Sequence, residues 1–510
     1  MNPGPSRATP LRLVRPAIVE QHGAVLTRGA AGAAGAGGVL EAGGGLALDP
    51  QQREVVERVA AGTDRALLVL GAPGSGKTSV VVEAVVAALA DGDLAPEDVL
   101  VVAASRRAAA ELRDRLSARL QRTSGQAMVR TAASAAFAVL RARAALLGEP
   151  PPTLISGPEQ DMLLSELLAG HAAGDGVPLD WPASVPPEAL GLRAFRDELR
   201  DLLMRAAERG LAPVDLAELG GRHARPAWVA AAAVYQEYLD VTLLRTATPD
   251  LGSRYDPAVV VEEAAEALLA WDDEVAAAPR PGWRLVVVDD HHESTAATAR
   301  LLRVLADGGA RLALFADPDS AVQTFRGASP ALVARATVEG DGPGELGAQR
   351  LVLGTVWRHG TRLREVASGV AARVGAQGAV VHRRAAARDG GPGNVRVAIL
   401  PSTAQEAAYV AHALRFAHLE HGTPWERMAV VARSGAQVTA LRRALASASV
   451  PVAVLGSDVP LREEPAVRPL LDAVRCVLPA GTVGAAELDA ETAARLLCSP
   501  LGGLDTVGLR

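Results

Sequence analysis

Eight consecutive residues, Gly71-Ala72-Pro73-Gly74-Ser75-Gly76-Lys77-Thr78, have the makings of a phosphate cradle. They match the P-loop pattern, G-x-x-x-x-G-K-[S/T]. Glycines without a Cβ let successive backbone N–H groups turn towards phosphate oxygens. Lys77 would reach the terminal phosphates of a nucleoside triphosphate, and the Thr78 hydroxyl would serve Mg2+. Of the 52 basic residues in the chain, Lys77 is the one lysine and the rest are arginines. The abundance of Ala, Gly, Arg and Pro favours arginine throughout. A lone lysine against that bias marks a place where a compact ammonium fits and a planar guanidinium does not. A triphosphate site also needs a carboxylate at the end of a second strand to organise the metal. Val286-Val287-Val288-Asp289-Asp290 supplies one. Asp289 would hold Mg2+ and Asp290 would orient the attacking water. Without the P-loop, this run would read as an ordinary strand followed by an acidic turn.

These residues need a scaffold, and the flanking pattern predicts one. The apolar run Ala66-Leu67-Leu68-Val69-Leu70 has strand length and feeds directly into the glycine-rich turn, and a helical pattern follows over 78–89. Further strands are expected at 99–102, near 128–129, at 285–288 and at 312–315, with a helix over 107–120. Strands alternating with helices predict an α/β fold, a parallel sheet covered on both faces. Between about 140 and 280, helical periodicity takes over at 159–168, 190–209 and 227–244, broken by proline-rich stretches. Strand signals return at 395–400 and 428–431. The expected organisation is a flexible low-complexity tail over 1–46 and a first α/β domain in two parts, 47–140 and 281–345. A helical insertion occupies 141–280. Part of a second α/β domain spans 346–458, and a further helical insertion begins over 459–510.

Bulk properties exclude several classes. At 510 residues the chain is too long for one core. A net charge of −6 means that any nucleic acid must be met by a local groove rather than a cationic coat. No apolar stretch is long enough to span a membrane, and residues 1–14 carry no apolar signal core. Two cysteines, Cys476 and Cys498, suit neither a disulfide framework nor a zinc or iron–sulfur site. A cytoplasmic location is expected.

Several short segments, taken in order, resemble the superfamily 1A DNA helicases of the UvrD, Rep and RecB type, and most closely the less active motor subunit of an actinobacterial heterodimeric helicase–nuclease. Leu48-Asp49-Pro50-Gln51-Gln52-Arg53 looks like the Q motif, in which Gln52 would read the adenine edge. Residues 103–112 (AASRRAAAEL) are similar to TFTNKAAAEM and Arg130-Thr131-Ala132-Ala133-Ser134 to GTFHS. By that resemblance Ser105 and Thr131 would face DNA. Asp289-Asp290-His291-His292-Glu293-Ser294 resembles DEFQDT. Asp317-Pro318-Asp319-Ser320, followed by Phe325-Arg326-Gly327-Ala328, resembles GDxDQ and WRGA. Val356-Trp357-Arg358 resembles NYR, and residues 428–437 (MAVVARSGAQ) resemble IAVLxRxxAQ. The resemblance implies RecA-like domains with ATP and Mg2+ between them, Trp357 stacked on adenine, Arg358 as an arginine finger, and Phe325 among the DNA contacts. It further implies 3′–5′ translocation, a role in double-strand break processing and DNA repair, and a second helicase–nuclease subunit as partner.

Departures from the family pattern fall on working positions. The usual catalytic glutamate is Asp290, one methylene shorter; the glutamine of DEFQDT is His292; that of GDxDQ is Ser320. Aromatic positions are alanines at 104, 132 and 133, which should weaken the grip on single-stranded DNA. A motor that binds ATP well but turns it over slowly is expected. The chain also lacks TxHxxKG-like and YVAxTRA-like sequences, so a fragment of a longer polypeptide is expected. Two rival readings remain at this stage: an architectural subunit holding ATP as a structural ligand, and an unrelated P-loop NTPase or small-molecule kinase.

Overall fold

The computed structural model describes residues 47–90, 92–120, 128–174, 179–246, 252–275, 278–375, 379–388, 391, 393–453, 467–478, 488–499 and 501–503. The tail expected over 1–46 lies outside the described residues. The chain divides into two compact units, 1–395 and 396–510.

The strands, in chain order, are β1 (Ala66–Gly71), β2 (Val99–Ala103), β3 (Val129–Thr131), β4 (Thr153–Leu154), β5 (Arg254–Tyr255), β6 (Leu285–Val288), β7 (Arg311–Ala316), β8 (Gln349–Leu353), β9 (Thr355–Val356) and β10 (Ala386–Ala387). Six of them form one sheet in the order β3-β2-β6-β7-β1-β8, every pair parallel; β4 pairs with β5 and β9 with β10. Buried on both faces, β1 and β6 read as unbroken apolar runs, as central parallel strands do. Pairing Leu70 with Ala316 and Val102 with Val288 brings the carboxyl ends of β1, β2, β6 and β7 to one edge. In open parallel sheets that edge is where ligands bind.

Alternate residues of each strand face opposite layers. Leu67 and Val69 join a core with Val55, Val80, Val81, Leu112 and Leu116 from α1 (Pro50–Ala61), α2 (Lys77–Ala90) and α3 (Arg106–Leu120). Leu68 and Leu70 face the second core, which α4 (Ala132–Leu147) helps to build. The insertion comprises α5 (Gly157–Ala173), α6 (Pro187–Leu190), α7 (Arg193–Glu208), α8 (Pro213–Arg222) and α9 (Pro226–Thr246), packed around Leu164, Leu168, Leu203 and Tyr238. Buried with that core is Asp256, which accepts hydrogen bonds from Gln160 Nε2 (2.6 Å) and Tyr238 OH (2.7 Å). The chain then returns to the sheet through α10 (Val260–Leu269), α11 (Trp271–Glu274), α12 (Ala296–Asp307) and α13 (Ala331–Arg335). The insertion's own core is thus narrower than the expected 141–280. The end of α4 and all of α10 and α11 pack into the sheet's second core, with Trp271 fully buried there.

Two sequence expectations are corrected. The second α/β domain was expected to open at 346, but Gln349–Leu353 is the edge strand β8 of the first sheet, paired in register with β1. Strands expected at 395–400 and 428–431 are not paired: among the described residues of 396–510 there is no strand. Their apolar side chains find no layer to cover them, with Val397, Ile399 and Val431 each about nine-tenths exposed. Alternating apolar sequence needs a neighbouring strand to satisfy its backbone before it becomes a sheet. After α14 (Thr361–Ala371), what is described in the second unit is helical: α15 (Thr403–His421), α16 (Gly435–Ser447), α17 (Arg468–Val477) and α18 (Ala490–Leu497). Ala411, Leu445 and Val450 form a small core there. Among the described residues no helix is long and apolar enough to cross a membrane.

Candidate nucleotide-binding and catalytic site

The P-loop sits where β1 ends and α2 begins. Gly74 (φ +81°) and Gly76 (φ +88°) adopt the left-handed backbone that glycine permits, so the loop curls back on itself. A Cβ on Gly71 would meet Ser75 Oγ and Lys77 Cγ, so this position of the loop leaves no room for a side chain. Ala72 and Ser75 are buried, and among the described residues Ser75 Oγ has no hydrogen-bond partner. Lys77 Nζ donates to Gly71 O at 2.8 Å and lies 3.9 Å from Asp317 Oδ2, at the end of β7. Burial pulls the Lys77 pKa below its ordinary value, while Asp317, Asp290 and Asp289 pull it back up.

From the end of β6, Asp289 meets α2. Thr78 Oγ1 donates to Asp289 Oδ2 at 3.0 Å, and Asp289 Oδ1 is buried without a hydrogen-bond partner among the described residues. Burial, reinforced by Asp290, pushes the Asp289 pKa up to about 6, against the pull of Thr78 and Lys77. A buried carboxylate with one bare oxygen beside a hydroxyl is a donor set that suits a hard divalent cation. Thr78 and Asp289 therefore fit Mg2+, and the P-loop amides with Lys77 fit the phosphates of ATP. Asp290 takes a left-handed conformation (φ +57°, ψ +47°), uncommon outside glycine, and keeps its carboxylate partly in solvent. Deeper in, His291 is fully buried; its pKa is pushed down to about 4, and Nδ1 lies 3.0 Å from Ser294 Oγ.

The first turn of α1 ties this pocket to the segment after β8. Gln52 is buried; its Nε2 donates to Ser75 O (3.0 Å) and its Oε1 accepts from Asp49 N (3.1 Å). Expected to read adenine, Gln52 here braces the P-loop and closes the capping box of α1. Gln51 Oε1 accepts from Gly354 N (2.7 Å), and Asp49 Oδ2 accepts from Trp357 Nε1 (3.2 Å). Trp357 N donates to Gly74 O at 2.9 Å, and a Cβ on Gly74 would lie 2.8 Å from Arg358 Cβ. Trp357 and Arg358 thus stand against Gly74, with the Arg388 guanidinium 5.0 Å from the Trp357 ring centre.

Of the three residues expected to face DNA, two cap helices and the third is exposed. Ser105 Oγ accepts from Ala108 N (3.1 Å) and Thr131 Oγ1 from Ser134 N (3.2 Å), each capping the helix that follows its strand. A cavity of about 190 Å3 reaches from Thr131 past Asp290 and Glu293 to Arg326. Phe325 projects into solvent, 62% exposed.

Asp317 lies in the segment that resembles GDxDQ, where no role was expected of it. It is fully buried beside Lys77; burial pushes its carboxyl up, but His382, Lys77 and Ser320 more than reverse this and hold it below the usual range. Ser320 Oγ donates to Asp317 Oδ2 at 2.6 Å. His382 Nε2 lies 3.1 Å from Asp317 Oδ1 and 3.0 Å from Asp319 Oδ2, and Arg383 grips Asp319 with two hydrogen bonds. Nothing local in 381–384 signalled this, because the contact spans more than sixty residues.

A search of curated proteins finds no match. A family model described as the UvrD/REP helicase N-terminal domain does match, over residues 48–339. That span is more than half of the chain, and it runs from the capping box of α1 through every strand of the main sheet except the edge strand β8. The chain therefore belongs to the UvrD/Rep helicases, a superfamily 1A family of ATP-dependent motors.

Proposed function

We propose that this chain is a motor subunit that uses ATP hydrolysis to move 3′–5′ along DNA, in double-strand break processing and repair, beside a second helicase–nuclease subunit. Family membership supports ATP-driven work on nucleic acid, and polarity, pathway and partner rest on the motif resemblance. The observation that carries the catalytic part is the meeting of Thr78 Oγ1 and Asp289 Oδ2 at 3.0 Å beside Lys77 and Asp290. In this reading the P-loop amides and Lys77 hold the triphosphate, and Thr78 and Asp289 hold Mg2+, which when bound neutralises phosphate oxygens. Asp290 takes the proton of the water whose oxygen bonds to the γ-phosphorus as the bond to the β-phosphate oxygen breaks. Arg358 faces the charge that develops. The part of 346–458 that follows β8 is read as part of the second motor domain.

The experiment is ATP turnover with and without single-stranded DNA, in wild type and Lys77→Ala. The expectation is turnover that DNA raises and Lys77→Ala abolishes. A second reading, an architectural subunit that binds ATP without using it, is favoured by the short Asp290 and by Ser320, whose hydroxyl is spent on Asp317. Tight ATP binding with no DNA-stimulated turnover would establish that reading instead.

A further inference from the structure

His292 stands where the family pattern has glutamine, and it is nearly fully buried, 3% exposed. Its Nδ1 accepts a hydrogen bond from the backbone N–H of Asp317 at 3.0 Å. A nitrogen that accepts carries no proton, so the neutral ring bears its proton on Nε2. That second nitrogen lies 3.9 Å from Asp290 Oδ1. Burial favours the neutral ring over the pull of Asp290, Glu293 and Asp317, so the tautomer set by Asp317 N is the resting form. The imidazole is a rigid plate between the turn after β7 and the turn after β6. Catalytic hydrogen bonds are often long in ligand-free proteins and tighten when the reacting complex forms. Rotation of the half-exposed Asp290 side chain would close this one.

We propose that His292 is the positioning residue for Asp290: its Nε2–H donates to one carboxylate oxygen and leaves the other aimed at the attacking water. This rests on the reading of Asp290 as the proton acceptor. It gives the short carboxylate a fixed direction that an isolated aspartate on a strained turn would lack. It also links Asp290 through Asp317 to Lys77, since the Asp317 whose N–H sets the ring carries the carboxylate beside Nζ.

Two substitutions separate the two ends of the ring. In His292→Asn, the amide oxygen can stand in for Nδ1 and keep the Asp317 N–H bond, but nothing reaches Asp290. In His292→Gln, the longer amide can stand in for Nε2. The full chain is assayed for DNA-stimulated ATP turnover, for KM, for binding of a fluorescent ATP analogue and for thermal melting. His292→Asn should lower kcat by about tenfold to a hundredfold, the scale of a misdirected catalytic group, with KM and analogue affinity unchanged. His292→Gln should stay within about threefold of wild type, counting a factor of that size as the small positional error a substituted side chain brings. Overturning results are a His292→Asn kcat at the wild-type level, or equal losses in the two variants. If His292→Asn does not fold, His292→Gln decides alone: a folded His292→Gln as impaired as a misdirected base overturns the assignment. Wild-type turnover that Lys77→Ala abolishes and His292→Asn spares removes only this inference. No turnover in wild type removes the motor reading, and this with it.

Discussion

Replacing Glu208 with glutamine should stabilise the first unit above pH 7 and leave it unchanged at about pH 4. Glu208 ends α7, and its Oε2 lies 2.6 Å from Arg205 Nη1. Burial nonetheless outweighs the ion pair and pushes its carboxyl up from 4.5 to about 7. The folded chain therefore holds a proton that the unfolded chain releases from about pH 4.5 upward, and stability falls as pH rises through this window. At 1.36 kcal/mol per pKa unit, the loss reaches about 3 kcal/mol once Glu208 ionises in the fold, near pH 7. A neutral glutamide of the same length escapes that loss. For a unit of this size, about 3 kcal/mol corresponds to roughly 4 °C in Tm. Calorimetric melting of wild type and Glu208→Gln at about pH 4 and about pH 8 tests this: the curves should separate at the higher pH and come together at the lower, where both states keep the proton. A Glu208→Gln chain that melts at or below wild type at pH 8 would refute the reasoning, because the Arg205 pair would then outweigh desolvation.

Gly74→Ala should weaken binding of a fluorescent ATP analogue by tenfold or more, since the new Cβ meets Arg358 Cβ at 2.8 Å on a left-handed backbone costing about 1–2 kcal/mol. Unchanged affinity would mean the loop is free to re-form. Phe325→Ala should weaken single-stranded DNA binding by about 1–3 kcal/mol, the worth of one base stack, and leave ATP binding alone. Fluorescence anisotropy with a labelled oligonucleotide gives the answer, and equal DNA affinities would take Phe325 out of the interface.

What the sequence revealed divides along the line between local and distant contacts. The P-loop is one uninterrupted run whose glycines, lysine and threonine act on neighbouring backbone, so its pattern alone carries the geometry. Asp289 was legible because a buried parallel strand announces itself as an apolar run and the residue after it must emerge at the ligand edge. The edge strand β8 was not, because Gln349–Leu353 is two polar residues followed by three apolar ones and nothing in it says which sheet it joins. The bracing role of Gln52 was hidden for a related reason: its side chain also holds a carbonyl 23 residues away, and that partner does not show in LDPQQR. Ser105 and Thr131 carry a pattern that a helix cap and a phosphate contact share, since both use the same hydroxyl at the same helix start. The segments at 395–400 and 428–431 have the right periodicity, but periodicity marks a face and does not provide a neighbour.

The first turn of α1 also constrains how Trp357 and Arg358 can move. Asp49 takes the Trp357 indole N–H, Gln51 takes Gly354 N–H, and Gln52 holds Ser75 O from the same turn. Trp357 N–H closes the circuit on Gly74 O. Each such bond contributes about 0.5–1.5 kcal/mol net. Breaking one is easy; shifting 354–357 away from the P-loop breaks three together. Gly74, Trp357 and Arg358 therefore behave as a single wall, and a ligand that reshapes the glycine turn must carry the arginine with it. The direction of Arg358 is then set by the P-loop backbone. An arginine placed this way follows the loop's conformation without any separate signal, and the three residues of one helical turn are what make it follow.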